Sequence, residues 1–338
     1  MINPKITIIT PSFNQGKYLE STIQSVLNQQ YDNLEYFIID GGSDDNSVDI
    51  IRKYEKFIDY WVSEKDNGQS EAINKGLRMA TGKIVTWINS DDMLQSGILH
   101  KIKNYFDDEK VGLIFGKTIS FGDNSIEKIS DLDLLDFPFK FLGSMAFPQP
   151  ASFFSSQVLK EHGYLDESLH YGMDFDLLVR IVLNYKILAI DDIISLNRYH
   201  DESKSMSNTF NFALDWAKVF SKVLRSFDLT NEMVSQLKDL NIYCEGDDFY
   251  KRNIEFFPSD LKKAYLYFLK EQAQLYYGSF KMNEANKIVK CIRKLDHNFY
   301  NKYRLNDIDF RSTYIPVELL KVIKFLRSKY NMKYRYGW

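Results

Sequence analysis

Over the first hundred residues, short β-branched apolar runs alternate with stretches whose apolar residues recur at helical spacing. Ile6-Thr7-Ile8-Ile9-Thr10 reads as a strand, and Pro11-Ser12-Phe13-Asn14 as the loop after it. Lys17 to Asn28 repeats Leu19, Ile23, Val26 and Leu27 on one helical face. Tyr36-Phe37-Ile38-Ile39-Asp40 is a second strand ending in a carboxylate. Gly41 to Asp45 then forms a turn, with a helix through Tyr54. Ile58 to Val62 gives a third strand, Ser70 to Met79 a helix, and Lys83 to Ile88 a fourth strand. Such alternation predicts an α/β domain with a parallel sheet covered by helices on both faces.

Beyond Ile98 the pattern changes. Val111 to Phe115 and Lys117 to Phe121 read as a strand pair. Phe137 to Ser155, rich in Phe, Pro, Gly and Ser, reads as a loop region over a pocket. Asp174 to Leu183 returns to a helix, with Phe175, Leu178, Val179 and Val182 on one side. From about Asn208 the chain reads as helical to its end. The expected division is therefore 1–205 and 206–338. Ala264-Tyr265, Gln274 to Gly278, Ala285 and Asp296 resemble a single tetratricopeptide-like helix pair. One such unit cannot build a solenoid, which leaves helical packing or a partner site.

The chemistry begins where the fourth strand stops, at Asn89-Ser90-Asp91-Asp92. Two carboxylates at the end of a buried strand are costly unless something positive arrives. In an open α/β sheet that edge is where ligands bind. Hard oxygen donors suit Mg²⁺ or Mn²⁺, ions that commonly bring a phosphate. An acidic turn capping the next helix is the other reading. Asp40, at the same edge, either accepts an N–H from a nucleobase or organises the turn at Gly41-Gly42. Thr10, Pro11, Phe13 and Asn14 form a loop where a base or ribose can rest. Gly41-Gly42-Ser43 matches neither a dinucleotide fingerprint nor a P-loop. The helix opened by Asp66 to Ser70 can turn backbone N–H groups toward a nucleotide. Within it, Asn74 and Gly76 serve either that site or close packing on the sheet. Of Asp174 and Asp176, one can cap a helix and one can face a cleft, where a carboxylate can take a proton from an attacking hydroxyl. His200 is a metal or phosphate contact, or a structural histidine.

Composition narrows the partners. The 338 residues carry 43 Lys and Arg against 46 Asp and Glu, which gives no global electrostatic case for nucleic acid. Aromatics make up 15%, with core as the main use and stacking on bases or sugars as another. Cys244 and Cys291 stand in no metal or redox spacing, as expected of a reducing compartment. The N-terminus lacks a signal-peptide pattern, and no apolar segment is long enough to span a bilayer. A cytoplasmic protein is expected, with membrane contact only at its surface. The tail Pro316 to Trp338 sets Val317, Leu320, Ile323 and Phe325 among Lys321, Lys324, Arg327, Lys329, Lys333 and Arg335. It is either a basic amphipathic end lying on an anionic membrane or an ordinary surface helix with a basic tail.

Taken together, these pieces resemble the family 2 glycosyltransferases, inverting nucleotide-sugar enzymes of the GT-A fold. That fold is a Rossmann-like, mostly parallel sheet flanked by helices, here with a helical C-terminal extension. The resemblance rests on Ile8 to Asn14, Ile39 to Asp45, Asn74-Lys75-Gly76, Asn89 to Asp92 and Gly172 to Leu177, and covers roughly residues 4–205. It implies that Asp40 reads the base of a nucleoside-diphosphate sugar, UDP-linked above others. Thr10, Pro11, Phe13, Asn14, Gly41 and Asn74 would join it around the nucleotide. Ser90-Asp91-Asp92 stands in the place of the family's Asp-x-Asp motif. Asp91 would lie near the ribose or diphosphate, and Asp92 would hold Mg²⁺ or Mn²⁺. Because Ser90 occupies the first position, coordination rests more heavily on Asp92. Asp174 matches the catalytic base, and His200 a further metal or diphosphate contact. The acceptor implied is a hydroxyl of a glycan or lipid-linked molecule in bacterial surface polysaccharide synthesis. The Gln-x-x-Arg-Trp motif of processive synthases is absent, which argues for addition of one sugar. A sugar-phosphate nucleotidyltransferase would be expected to carry a basic, Gly-rich N-terminal loop, which Pro11 to Asn14 lacks. A non-catalytic sugar-binding or scaffold protein is the remaining alternative.

Overall fold

The computed structural model describes residues 3–122, 125–145, 147–200, 209–227 and 231–329. The tail beyond residue 329 lies outside the described residues. The chain divides into two units, one of Met1–Leu134 and Met145–Tyr199, the other of Leu135–Ser144 and His200–Trp338.

The first unit is built on a nine-stranded sheet. Its strands are β1 (Ile6–Ser12), β2 (Leu34–Asp40), β3 (Tyr60–Ser63), β4 (Ile84–Trp87), β5 (Met93–Leu94), β6 (Val111–Gly122), β7 (Ser125–Ile129), β8 (Ser152–Ser155) and β9 (Lys186–Arg198). The order is β3-β2-β1-β4-β8-β6-β9-β5, with β7 paired to β6. β1 to β4 run parallel, as does β9 beside β6, whereas β8 enters antiparallel between β4 and β6. Ile6, Ile8, Ile38 and Ile84 are fully buried, which is why these strands read as continuous β-branched runs.

Helices α1 (Gly16–Leu27), α2 (Ser47–Tyr54), α3 (Gln69–Met79), α4 (Ile98–Ile102), α5 (Ser156–His162) and α6 (Met173–Val182) complete the unit. α1 buries Leu19, Ile23 and Val26 against the sheet, each side chain worth about 1.5–3 kcal/mol when fully withdrawn from water. α3 lies so close to β1 that a Cβ on Gly76 would stand 2.7 Å from Ile9 Cγ1.

Three expectations are corrected here. Val111–Gly122 is one strand, not a pair broken at Gly116. The 137–155 stretch is not all loop, since Ser152–Ser155 is a buried sheet strand. The thirteen-residue strand β9 had no counterpart in the pattern at all. One local feature underlies the first and the last. The β6–β9 register slips around Lys117, and a Cβ on Gly116 would lie 2.6 Å from the Asp192 carbonyl oxygen. This bulge absorbs Asp191-Asp192 and breaks the alternation on both strands.

The second unit is helical, as expected from Asn208 onward. It contains α7 (Thr209–Arg225), α8 (Asn231–Asp239), α9 (Pro258–Gly278), α10 (Met282–Leu295), α11 (His297–Lys302), α12 (Asn306–Tyr314) and α13 (Val317–Lys329). α9 and α10 form the helix pair read from Ala264 and Ala285, both fully buried. Phe220 of α7 stacks on Phe268 of α9 at 4.1 Å between ring centroids. Residues 135–144 belong here because their backbone presses on α9, with a Cβ on Gly143 only 2.0 Å from the Ala264 carbonyl oxygen. Cys244 and Cys291 are free thiols, and burial pushes both upward in pKa. Among the described residues no helix is long and apolar enough to cross a membrane.

Candidate active site

The parallel register sends the ends of β1, β2, β3 and β4 to one edge of the sheet, and the first residues of α1, α2 and α3 start there. The turns after β1 and β2 are sewn together. Asn14 takes a left-handed φ of 52°, a conformation its short polar side chain tolerates. Its N–H donates to Ser43 Oγ (2.8 Å), and its Oδ1 accepts from the Asp44 N–H (2.9 Å). Phe13, immediately before Asn14, is 60% exposed.

Asp40 is fully buried and its carboxylate serves the turn. Oδ2 accepts from the N–H groups of Gly42 (3.1 Å) and Ser43 (2.9 Å) and from Ser63 Oγ (2.7 Å), while Oδ1 accepts from Ser43 Oγ (2.6 Å). Gly41 holds the turn against Asp66, whose Oδ2 would stand 2.8 Å from an added Cβ. Burial pushes Asp66 upward in pKa.

After β4, the backbone of 90–92 is clamped from two sides. The Thr22 hydroxyl of α1 stands between the carbonyls of Ser90 (2.9 Å) and Asp92 (2.7 Å). From the far end of β9, Arg198 Nε donates to the Asp91 carbonyl (3.1 Å), and the Arg198 backbone N–H donates to Asp92 Oδ1 (2.9 Å). The guanidinium lies between the rings of Tyr18 (4.7 Å) and Phe121 (4.5 Å), which fixes its plane. Asp91 is half-buried and Asp92 buried. Burial, and then the charge of Asp91, hold the Asp92 carboxyl well above the usual range despite bonds from Arg198 and Asn89.

α3 links this turn to Asp174. Gln69 Nε2 donates to Asn89 Oδ1 (2.8 Å), and the next residue, Ser70, donates its hydroxyl to the Met173 sulfur (2.6 Å). Asp174, immediately after Met173, is half-buried in the first turn of α6, with Oδ1 accepting its neighbour Phe175 N–H (2.8 Å). Asp176 is committed elsewhere. It is buried and paired with Arg180 NH2 at 2.7 Å, and that arginine also donates to the carbonyls of His162 and Gly163. Of the two carboxylates, Asp176 is thus the one committed to Arg180.

Several other residues named from the sequence also do structural work. Thr10 is buried with its hydroxyl on Tyr36 OH (3.0 Å), and Pro11 is within β1. Asn74 is buried and latches the 165–167 turn, bonding Leu165 through both amide atoms and Glu167 Oε1 (2.7 Å). Ser90 is buried, its carbonyl held by Thr22. His200 is half-buried and falls in the second unit. Among the described residues no three His, Cys, Asp or Glu side chains gather as a metal cage. The residues that sequence reasoning missed are Arg198 and Thr22.

A family model described as glycosyl transferase family 2 matches residues 7–158. An uncharacterized glycosyltransferase of Mycobacterium tuberculosis is 30% identical over 189 residues, 53% of this chain and 70% of that relative. The poly(ribitol-phosphate) beta-N-acetylglucosaminyltransferase TarP of Staphylococcus aureus is 36% identical over 118 residues, 33% of this chain and 36% of that relative. Among solved structures, S. aureus TarS 1-349 in complex with UDP-GlcNAc superposes with a TM-score of 0.58 at 18% identity, over 98% of this chain and 93% of that one.

Proposed function

The chain belongs to glycosyl transferase family 2 and is a glycosyltransferase of the GT-A fold, and from that premise we propose that it moves one sugar, with inversion, from a nucleoside-diphosphate sugar to an acceptor hydroxyl. The observation that carries this reading is the carboxyl edge of the sheet. There a buried, electrostatically strained Asp92 and its neighbour Asp91 are held rigid by Arg198 and Thr22, and α3 ties them to the start of α6.

The donor set at Asp91 and Asp92 fits a hard divalent ion. Mg²⁺ and Mn²⁺ commonly take one or two carboxylates and complete their shells with water and phosphate oxygens, so a full protein cage is not required. The ion, when bound, supplies positive charge to the departing diphosphate. Asp92, as a carboxylate under strain from burial and a like charge, gains most from a cation. The exposed Phe13 ring, in a loop stiffened by Asn14, offers a face for the base. Asp40 acts on the nucleotide by shaping the turn beneath it.

In the reaction, Asp174 accepts the proton of the acceptor hydroxyl as its oxygen bonds to the anomeric carbon. The bond from that carbon to the diphosphate oxygen breaks on the opposite face, and the electron pair leaves with the nucleoside diphosphate. A UDP-sugar donor is supported by the TarS complex, and a surface glycan or lipid-linked acceptor by the activity named for TarP. The protein would then work in the cytoplasm, at the membrane face where such acceptors are presented.

The test is a panel of nucleotide sugars, each with Mn²⁺ or with chelator, read by thermal shift and by the released product. One donor should stabilise the protein only with metal and release nucleoside diphosphate once acceptor is added. A ligand at a hundred times its Kd stabilises by about 2.7 kcal/mol, which is easily read. Release of pyrophosphate, or no stabilisation by any donor, would remove this reading.

A further inference from the structure

Sixteen large apolar side chains are exposed among the described residues, and six of them fall between Phe310 and Leu326. Phe310 and Tyr314 sit side by side on α12, their ring centroids 5.2 Å apart, at 58% and 72% exposure. On α13, Leu319, Val322, Phe325 and Leu326 recur at helical spacing and are 42–62% exposed, whereas Leu320 on the other side is buried at 7%. α13 is therefore anchored by one face and presents an apolar stripe on another.

Charge says what the stripe meets. Residues 316–338 hold six Lys and Arg and a single acid, Glu318, in a chain whose net charge is −3. Glu318 is itself engaged by Lys321 at 2.9 Å. Lys321 and Lys324 lie beside the Phe280 ring, at 6.0 and 5.3 Å from its centroid. The sequence that follows α13 interleaves Tyr330, Tyr334, Tyr336 and Trp338 with Lys333 and Arg335. A protein interface would be depleted in lysine. A second copy on a two-fold axis would set this basic segment against itself. Tyr and Trp beside Lys and Arg are instead the composition of a lipid interface.

We propose that α12 and α13 form a landing surface for an anionic lipid bilayer, with the apolar stripe entering the headgroup layer and the basic residues meeting lipid phosphates. Neither helix is a membrane span. The proposal deepens the membrane-face part of the function above, but binding to lipid needs neither donor nor acceptor.

The experiment is vesicle flotation of the full chain without nucleotide. One vesicle set is phosphatidylcholine, the other equal parts phosphatidylcholine and phosphatidylglycerol. Each cation near an anionic surface is worth roughly fivefold in partitioning, so binding to the second set should exceed the first by well over tenfold. It should collapse toward ~1 M salt, where the screening length is about 3 Å. Val322→Asp with Phe325→Asp should lower binding by about tenfold or more with the melting temperature unchanged, since both side chains are exposed. Phe257→Asp, exposed in the same unit but outside the stripe, should bind like the parent. Equal binding to both vesicle sets, or a double variant that floats like the parent, overturns the proposal. So does a dimer of the parent chain that the double variant disperses, because a second copy would then cover the stripe. Loss of nucleotide binding in a separate assay would count against the transferase mechanism only.

Discussion

Glu35, near the start of β2, and Asp92, in the turn that follows β4, are both buried carboxylates at opposite ends of the parallel strands, and the protein treats them in opposite ways. Glu35 starts β2 among donors. It accepts from Thr7 Oγ1 (2.6 Å), the Thr81 N–H (2.8 Å) and Thr81 Oγ1 (2.6 Å), with Lys5 at 3.7 Å. Burial alone would raise its pKa, but these partners bring it below the usual value. Asp92 has donors too, yet burial and Asp91 leave it well above. A carboxylate that serves the fold is satisfied by the fold, whereas one left short of positive charge suits the ligand role proposed for Asp92. Asp40 limits the rule, since it stands at the ligand edge with its oxygens engaged by the turn. Position at the edge is therefore not enough; the deficit matters.

The sharpest way to break the comparison lies on one turn of α6. Asp174→Asn should leave UDP binding intact and lower transfer by the 10²–10⁴-fold typical of general-base loss, measured as kcat with saturating donor. Asp176→Asn, two residues away, should instead leave Arg180 buried without its partner and cost about 3–5 kcal/mol of stability, read by denaturant unfolding. Equal kinetic losses in the two variants would mean that α6 matters only as a scaffold.

A smaller effect is expected at Arg198. Arg198→Ala keeps the backbone bond to Asp92 but removes the Nε bond to the Asp91 carbonyl and the plate between Tyr18 and Phe121. Groups that orient metal-binding side chains typically account for 10–100-fold in metal affinity. Titration of Mn²⁺ at fixed UDP should show a loss of that order, by calorimetry as well as by rate. Arg198→Lys should recover part of it, because the cation over the rings survives while the planar donor does not. An unchanged Mn²⁺ titration would reduce Arg198 to packing.

These residues also mark how far the sequence can be read. The first four strands and the helices between them are legible because their cores come from contiguous β-branched runs and one-sided apolar spacing. β9 is not, because the bulge at Gly116 lets Asp191-Asp192 sit within it. Arg198 is not, because the partners that define it, Tyr18, Asp91 and Phe121, are remote in the chain and meet only through the sheet. Asp176 and Arg180 stand four apart on one helix, a readable pairing signal that would have separated Asp176 from Asp174. The two roles open for Asp40 could be weighed only once Ser43 and Ser63 were seen to donate to it.

The smallest effects test the opening contrast most directly, because they should differ in sign. Glu35 has a depressed folded pKa, so its contribution is present above the unfolded value, about 4.3, and is lost as pH falls through the folded one. Glu35→Gln should thus lower stability at neutral pH by about 1–3 kcal/mol, with the gap to the parent closing in acid. Asp92 has a raised folded pKa, so its burden is absent below about 3.9, grows as pH rises from there toward the folded value, and is complete above it. Asp92→Asn should therefore raise the melting temperature of metal-free protein at neutral pH, by roughly 2–4 °C for each kcal/mol in a domain of this size. In acid that gain should vanish. Mn²⁺ with UDP should stabilise the parent and not Asp92→Asn, because the asparagine offers no charge to the ion. If both substitutions destabilise metal-free protein at neutral pH, Asp92 is satisfied by its neighbours after all, and the two ends of the strands do not differ in the way argued.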